Sequence, residues 1–169
     1  MTRFSNAMQP RRASARALLA GAALATLALW APSALAVSCS VTANALSFGA
    51  YNTTSNLTGT TTVTITCGAW GGASSINYTL SASVGSGAYA NRQVLNGSNV
   101  ITYNLYTTSA DTSIWGDGNG DGTATLSGTV TKQVGTVNLT IYGKINGGQN
   151  VVPGSYTTTV PITVTLTYQ

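Results

Sequence analysis

Downstream of Cys39, apolar and polar residues alternate with a period of two, and the residues carrying the pattern are mainly Thr, Val, Ile and Tyr, types that suit a pleated surface. The alternation predicts strands over residues 40–50, 60–67, 76–83, 100–107, 123–127, 134–145 and 156–168. Turn-forming stretches separate them: CGAWGGASS, LNGSN, GDGNGDG, NGGQN and PGS. No stretch repeats with a period of 3.6 residues, so nothing is available to serve as a helical crossover between parallel strands. Short strands at this spacing predict an all-β fold, an antiparallel sandwich forming one domain without internal repeats.

The last predicted strand is the most informative. Val160, Ile162, Val164, Leu166 and Tyr168 occupy its even positions, while Thr159, Pro161, Thr163, Thr165 and Thr167 face the other way. Five apolar side chains are therefore expected on one core-facing side. Pro161 has no N–H to give to a ladder, which places the strand at a sheet edge. Edges are usually defended by charge, yet residues 156–169 contain no charged side chain. Such an edge invites another strand unless a loop covers it, or unless Pro161 marks a bulge in a mid-sheet strand.

Charge narrows the chemistry. Among 169 residues there are seven Lys or Arg, three Asp, no Glu and no His. General acid–base catalysis needs a group titrating near the working pH, and neither His nor a tuned Glu is present. No activating base, histidine-ligated metal or cofactor motif can be named, so neither an enzyme nor a cofactor is expected. Arg3, Arg11, Arg12 and Arg16 precede the apolar run ALLAGAALATLALW, which Pro32 and Ala34-Leu35-Ala36 follow. A basic head, a short apolar middle and small residues predict a secretory signal over residues 1–36, with the domain over 37–169. Beyond that cut Arg92, Lys132 and Lys144 balance Asp111, Asp117 and Asp121. No basic patch remains for nucleic acid, and weak self-repulsion favours association with other chains. Cys39 and Cys67 both fall in the exported part, where an oxidising compartment favours their pairing over two free buried thiols.

SCSVTANALSFGAYN (38–52), TVTITC (62–67), ITYNLYTTSADTSIWGDG (101–118) and LTIYGKINGGQNVVPGSYTTTVPITVTLTY (139–168) resemble the spore coat protein U domain. That domain is shared with subunits of archaic, Csu-type chaperone–usher pili. The resemblance implies an immunoglobulin-like sandwich lacking its final strand, which a periplasmic chaperone lends first and the next subunit lends in the fibre, with assembly at an outer-membrane usher. It implies no small-molecule substrate. It also makes Val160, Ile162, Val164, Leu166 and Tyr168 the acceptor face for the incoming strand. One feature departs from a repeating shaft subunit. Only Val37 and Ser38 lie between the expected cut and Cys39, a reach of about 7 Å against roughly 30 Å for a donor strand of nine residues.

Three further features have a bland and a sharp reading. Asp117, Asn119 and Asp121 have the spacing that opens a calcium loop, but Gly128 stands where its bidentate Glu belongs, and a turn explains the same letters. Trp70, in the glycine-rich stretch after Cys67, is either an exposed adhesive aromatic or a cover for the disulfide; Trp115 reads as core. Sequons begin at Asn52, Asn56, Asn77, Asn96 and Asn138, and a Thr-rich chain makes such triplets by chance. The leading expectation is a non-catalytic subunit of a bacterial surface fibre, exported to the periplasm and then the cell surface, serving adhesion and biofilm formation. A self-contained secreted coat protein and a tip adhesin gripping through Trp70 are the alternatives.

Overall fold

The computed structural model describes residues 36–169; all of the expected export signal but Ala36, including Arg3, Arg11, Arg12, Arg16 and the apolar run, lies outside the described residues. The described part contains strands and no helix: β1 Val37–Ala43, β2 Leu57–Trp70, β3 Ser75–Ala82, β4 Gly87–Ala88, β5 Asn91–Asn96, β6 Asn99–Tyr106, β7 Ile114–Trp115, β8 Thr123–Ala124, β9 Leu126–Thr131, β10 Thr136–Ile145 and β11 Val164–Tyr168. The larger sheet runs β1-β2-β10-β6-β5-β4, with β7 attached to β6 and β8 to β7. The smaller sheet runs β11-β3-β9. Among the described strands only the two-residue β7–β8 pair is parallel. This is the all-β, antiparallel immunoglobulin-like sandwich that the alternation and the resemblance predict.

The period of two decides what is buried. On β2 the side chains of Val63, Ile65 and Cys67 turn inward, while Thr64 and Thr66 stay at least partly exposed. On β3 the inward set is Ile76, Tyr78, Leu80 and Ala82, all buried. Leu80 stands opposite Leu126 on β9 and Leu166 on β11, so a row of leucines crosses the smaller sheet. Cys39 lies directly opposite Cys67 in the β1–β2 ladder, and the two are joined by a disulfide.

The strand predicted over 60–67 extends to Leu57–Trp70, and the one predicted over 123–127 divides between β8 and β9; two other differences from the predicted lengths shape the site. The strand predicted over 40–50 stops at Ala43, after which residues 44–50 leave the ladder and lie over the larger sheet. A glycine pair makes room for them. Gly59 and Gly143 face each other in the β2–β10 ladder. A Cβ on Gly143 would lie 2.5 Å from Leu46 Cδ2 and 2.8 Å from Phe48 Cζ, and one on Gly59 would lie 2.9 Å from Ser47 O. Phe48 then meets Tyr103 edge-on, ring centroids 5.8 Å apart. Gly143→Val should displace this segment and cost about 1–3 kcal/mol, read as a lower urea midpoint.

The strand predicted over 156–168 is shorter as well. Thr157 exchanges two backbone hydrogen bonds with Leu95 of β5, at 2.8 and 2.9 Å, so this part belongs to the larger sheet. The chain then crosses over, and β11 begins only at Val164. Pro161 sits in the crossing, where its missing N–H forfeits no ladder bond. Val160 lies outside β11 and is 51% exposed, so the alternation of five does not continue back to it as a strand. Val134, expected in a strand, sits exposed in the turn before β10. β4, β5 and β7 had no counterpart in the pattern.

Candidate functional site

β11 is an edge. Among the described residues its only ladder partner is β3. Gln169 and Asn77 exchange backbone bonds at one end (3.0 and 3.1 Å), and Ser83 N donates to Thr163 O (2.9 Å) at the other. Hydrogen-bonded pairs alternate in an antiparallel ladder, so Thr163, Thr165, Thr167 and Gln169 spend their peptide groups on β3. The N–H and C=O groups of Val164, Leu166 and Tyr168 consequently point to the free flank.

The same three residues face inward with their side chains, and none is sealed. Ile162, Val164, Leu166 and Tyr168 pack against the core yet stay half-buried, whereas the neighbouring inward residues of β3 are fully buried. Across from them β1 repeats the situation. Its ladder partner among the described residues is β2, and Val37, Cys39 and Val41 are half-buried. β1 and β11 lie side by side in space with no ladder between them. Covering four half-exposed aliphatic or aromatic side chains would contribute on the order of 3–6 kcal/mol.

Where β1 ends, this seam widens into a groove of about 770 Å³. Residues 43–51 form one wall, and Ser155–Thr158 with Pro161, Ile162 and Val164 form the other; the floor includes Ile101, Leu105, Trp115 and Ile141. Trp115 is buried and donates from Nε1 to Leu80 O at 3.3 Å, which ties the larger sheet to the smaller. The groove is thus floored by buried side chains of the sandwich core and flanked by unpaired strand edges.

The remaining candidates sit elsewhere. Trp70 ends β2 opposite Val37, half-buried and packed against the core at the disulfide end. Asp117, Asn119 and Asp121 share the loop between β7 and β8. There Asp117 Oδ1 accepts from Asn119 N (3.0 Å), and the single Thr123 hydroxyl proton is shared between Gly120 O (2.9 Å) and Asp117 Oδ1 (3.3 Å). The Asn119 backbone N–H, foremost, holds the Asp117 carboxyl below its ordinary pKa. Asp121, Gly118, Gly120 and Gly122 adopt positive φ, as turn chemistry requires. Among the described residues no three His, Cys, Asp or Glu side chains converge on a metal-sized site. Sequence reasoning missed Arg92, which is fully buried on β5. Its signal was an alternating position two residues before Val94.

The Spore Coat Protein U domain family model matches residues 24–163. No curated protein matches the chain. Among solved structures, the chain is similar in fold to one chain of the CsuC–CsuE chaperone–tip adhesion subunit pre-assembly complex, from the archaic chaperone–usher Csu pili of Acinetobacter baumannii. The TM-score is 0.52 at 19% identity, over 78% of this chain and 40% of that one. The present chain therefore spans less than half the length of that neighbour.

Proposed function

Since the chain belongs to the spore coat protein U domain family, we propose that it is a non-catalytic structural subunit of a bacterial surface fibre, completed by a β-strand lent from another molecule. The observation that carries this reading is the free flank of β11, where unpaired peptide groups border an open apolar groove. A donor strand laid along it would pair with Val164, Leu166 and Tyr168 and send alternate side chains into the groove beside Ile162. A periplasmic chaperone is the first donor and a neighbouring subunit the second, with passage through an outer-membrane usher. Residues 1–36 serve export, and residues 37–169 form the strand-accepting domain that reaches the cell surface. Adhesion and biofilm formation are properties of the fibre in this reading and do not require Trp70.

A covalent strand tests it. A variant carrying, after Gln169, a short Asn-Gly-type turn and a charge-free alternating strand should fold as a monomer and melt well above the unextended protein. The unextended protein should aggregate on its own and be rescued by a cognate chaperone. If the unextended protein is monomeric and the added strand does not raise its melting temperature, the sandwich is self-contained and the coat-protein alternative stands.

A further inference from the structure

A groove that receives a strand needs a fixed shape, and one buried side chain is tied both to one of its walls and to its floor. Arg92 is completely buried, and among the described residues it has no carboxylate partner. Its guanidinium is held by neutral acceptors alone. Nε donates to Val84 O (3.1 Å), Nη2 to Ser83 O (3.2 Å) and Trp115 O (2.7 Å), and Nη1 to Asn104 Oδ1 (2.7 Å). The Tyr89 ring lies 5.1 Å from its Cζ, and burial pushes its pKa below the usual arginine value.

These contacts lead to groove-lining backbone. Ser83, besides giving its carbonyl to Arg92, donates its N–H to Thr163 O and accepts the Thr163 N–H on its hydroxyl at 2.8 Å. Thr163 lies between Ile162 and Val164, two residues of the wall. Trp115, bonded directly, is part of the floor. Asn104 Oδ1 also accepts Leu105 N at 2.9 Å, so the side chain that meets Arg92 fixes the floor residue next to it. The Ser83–Gly85 loop presses on the wall too, since a Cβ on Gly85 would lie 2.7 Å from Ile162 Cδ1.

We propose that Arg92 is a positioning residue for strand uptake: through Ser83, Trp115 and Asn104 its guanidinium sets the position of the β11 wall relative to the floor strands β6 and β7, and so the shape of the groove. This rests on the strand-acceptor reading above. Lysine cannot substitute, because a single ammonium cannot span four acceptors laid out around a planar fork.

The test uses a fluorescent peptide of about ten residues, alternating valine and threonine, added as the protein refolds from urea. Affinity is read by anisotropy for the unaltered protein, Arg92→Lys, Ser83→Ala and Val130→Ala; the last thins the core on β9, away from the groove. Arg92→Lys should bind the peptide roughly tenfold more weakly, while Val130→Ala stays within about twofold despite losing stability. Equal binding by Arg92→Lys and the unaltered protein overturns the role of Arg92, as does an equal loss in Val130→Ala. Should Arg92→Lys fail to fold, Ser83→Ala decides, since it removes only the acceptor for the Thr163 N–H. It should weaken peptide binding and speed hydrogen exchange at Thr163, and unchanged binding overturns the proposal. A protein that takes no peptide in any form defeats the strand-acceptor reading itself, and the role of Arg92 with it. Peptide binding that survives in both Arg92→Lys and Ser83→Ala defeats only the role of Arg92.

Discussion

Replacing Trp115 with alanine is expected to leave the protein at the margin of folding. Truncation of a buried tryptophan typically costs about 3–5 kcal/mol, a large share of the roughly 5–15 kcal/mol by which domains are stable. Three features place Trp115 at the severe end. It is 2% exposed, its indole bridges the two sheets through Leu80 O, and it belongs to the groove floor. Its loss therefore removes a sheet-to-sheet contact and enlarges a space that the chain already leaves open. Trp115→Phe should cost much less, because the ring volume is mostly kept. Circular dichroism against urea reads both variants, and a Trp115→Ala midpoint equal to that of the unaltered protein would show that the groove floor carries no such load.

The second large effect is expected on removing the disulfide. Cys39 and Cys67 are 28 residues apart, and opening their cross-link returns chain entropy worth about 3–4 kcal/mol to the unfolded state. The damage falls on β1, which among the described residues has β2 alone as its ladder partner and forms one side of the seam with β11. Without the link this edge can fray from Val37 inward. The Cys39→Ser, Cys67→Ser double variant should melt on the order of 10 °C lower than the oxidised protein, and reduced unaltered protein should behave the same way. Identical melting with and without reductant would mean that the ladder alone holds β1.

Much of this architecture was legible because burial follows the period of two so closely. The predicted strand 60–67 lies within β2, while the strands predicted over 76–83 and 100–107 match β3 and β6 to within about a residue at each end, since each alternates Val, Ile, Leu or Tyr with polar residues. β5 was missed because its sequence, NRQVLN, puts a cation where the pattern expects an apolar residue, and only tertiary contacts show that Arg92 is satisfied there. Two strands were extended too far because periodicity carries no information about which sheet a residue joins. Tyr156–Thr159 looks like β11 in the sequence but is tied to β5 at Thr157, and the stretch after Ala43 looks like β1 but rests on Gly59 and Gly143. The candidate site was half legible. Its edge was legible in the absence of charge over residues 156–169, whereas Pro161, expected inside the edge strand, lies in the crossing before β11; the groove exists only where several half-buried residues fail to be covered, and a missing neighbour leaves no letters.

Arg92 has one more consequence, at the surface rather than in the core. Of the six charged side chains in the described residues it is sealed inside, and Lys144 is paired with Asp111 at 3.2 Å. Solvent is left with Lys132, Asp117 and Asp121 as its unpaired fixed charges, set in a field of threonine and serine hydroxyls. Ionic strength has little to screen on such an exterior. Self-association through this exterior would then follow dehydration, strengthening with excluded solutes such as sulfate and weakening with urea, while ordinary changes in sodium chloride leave it unmoved.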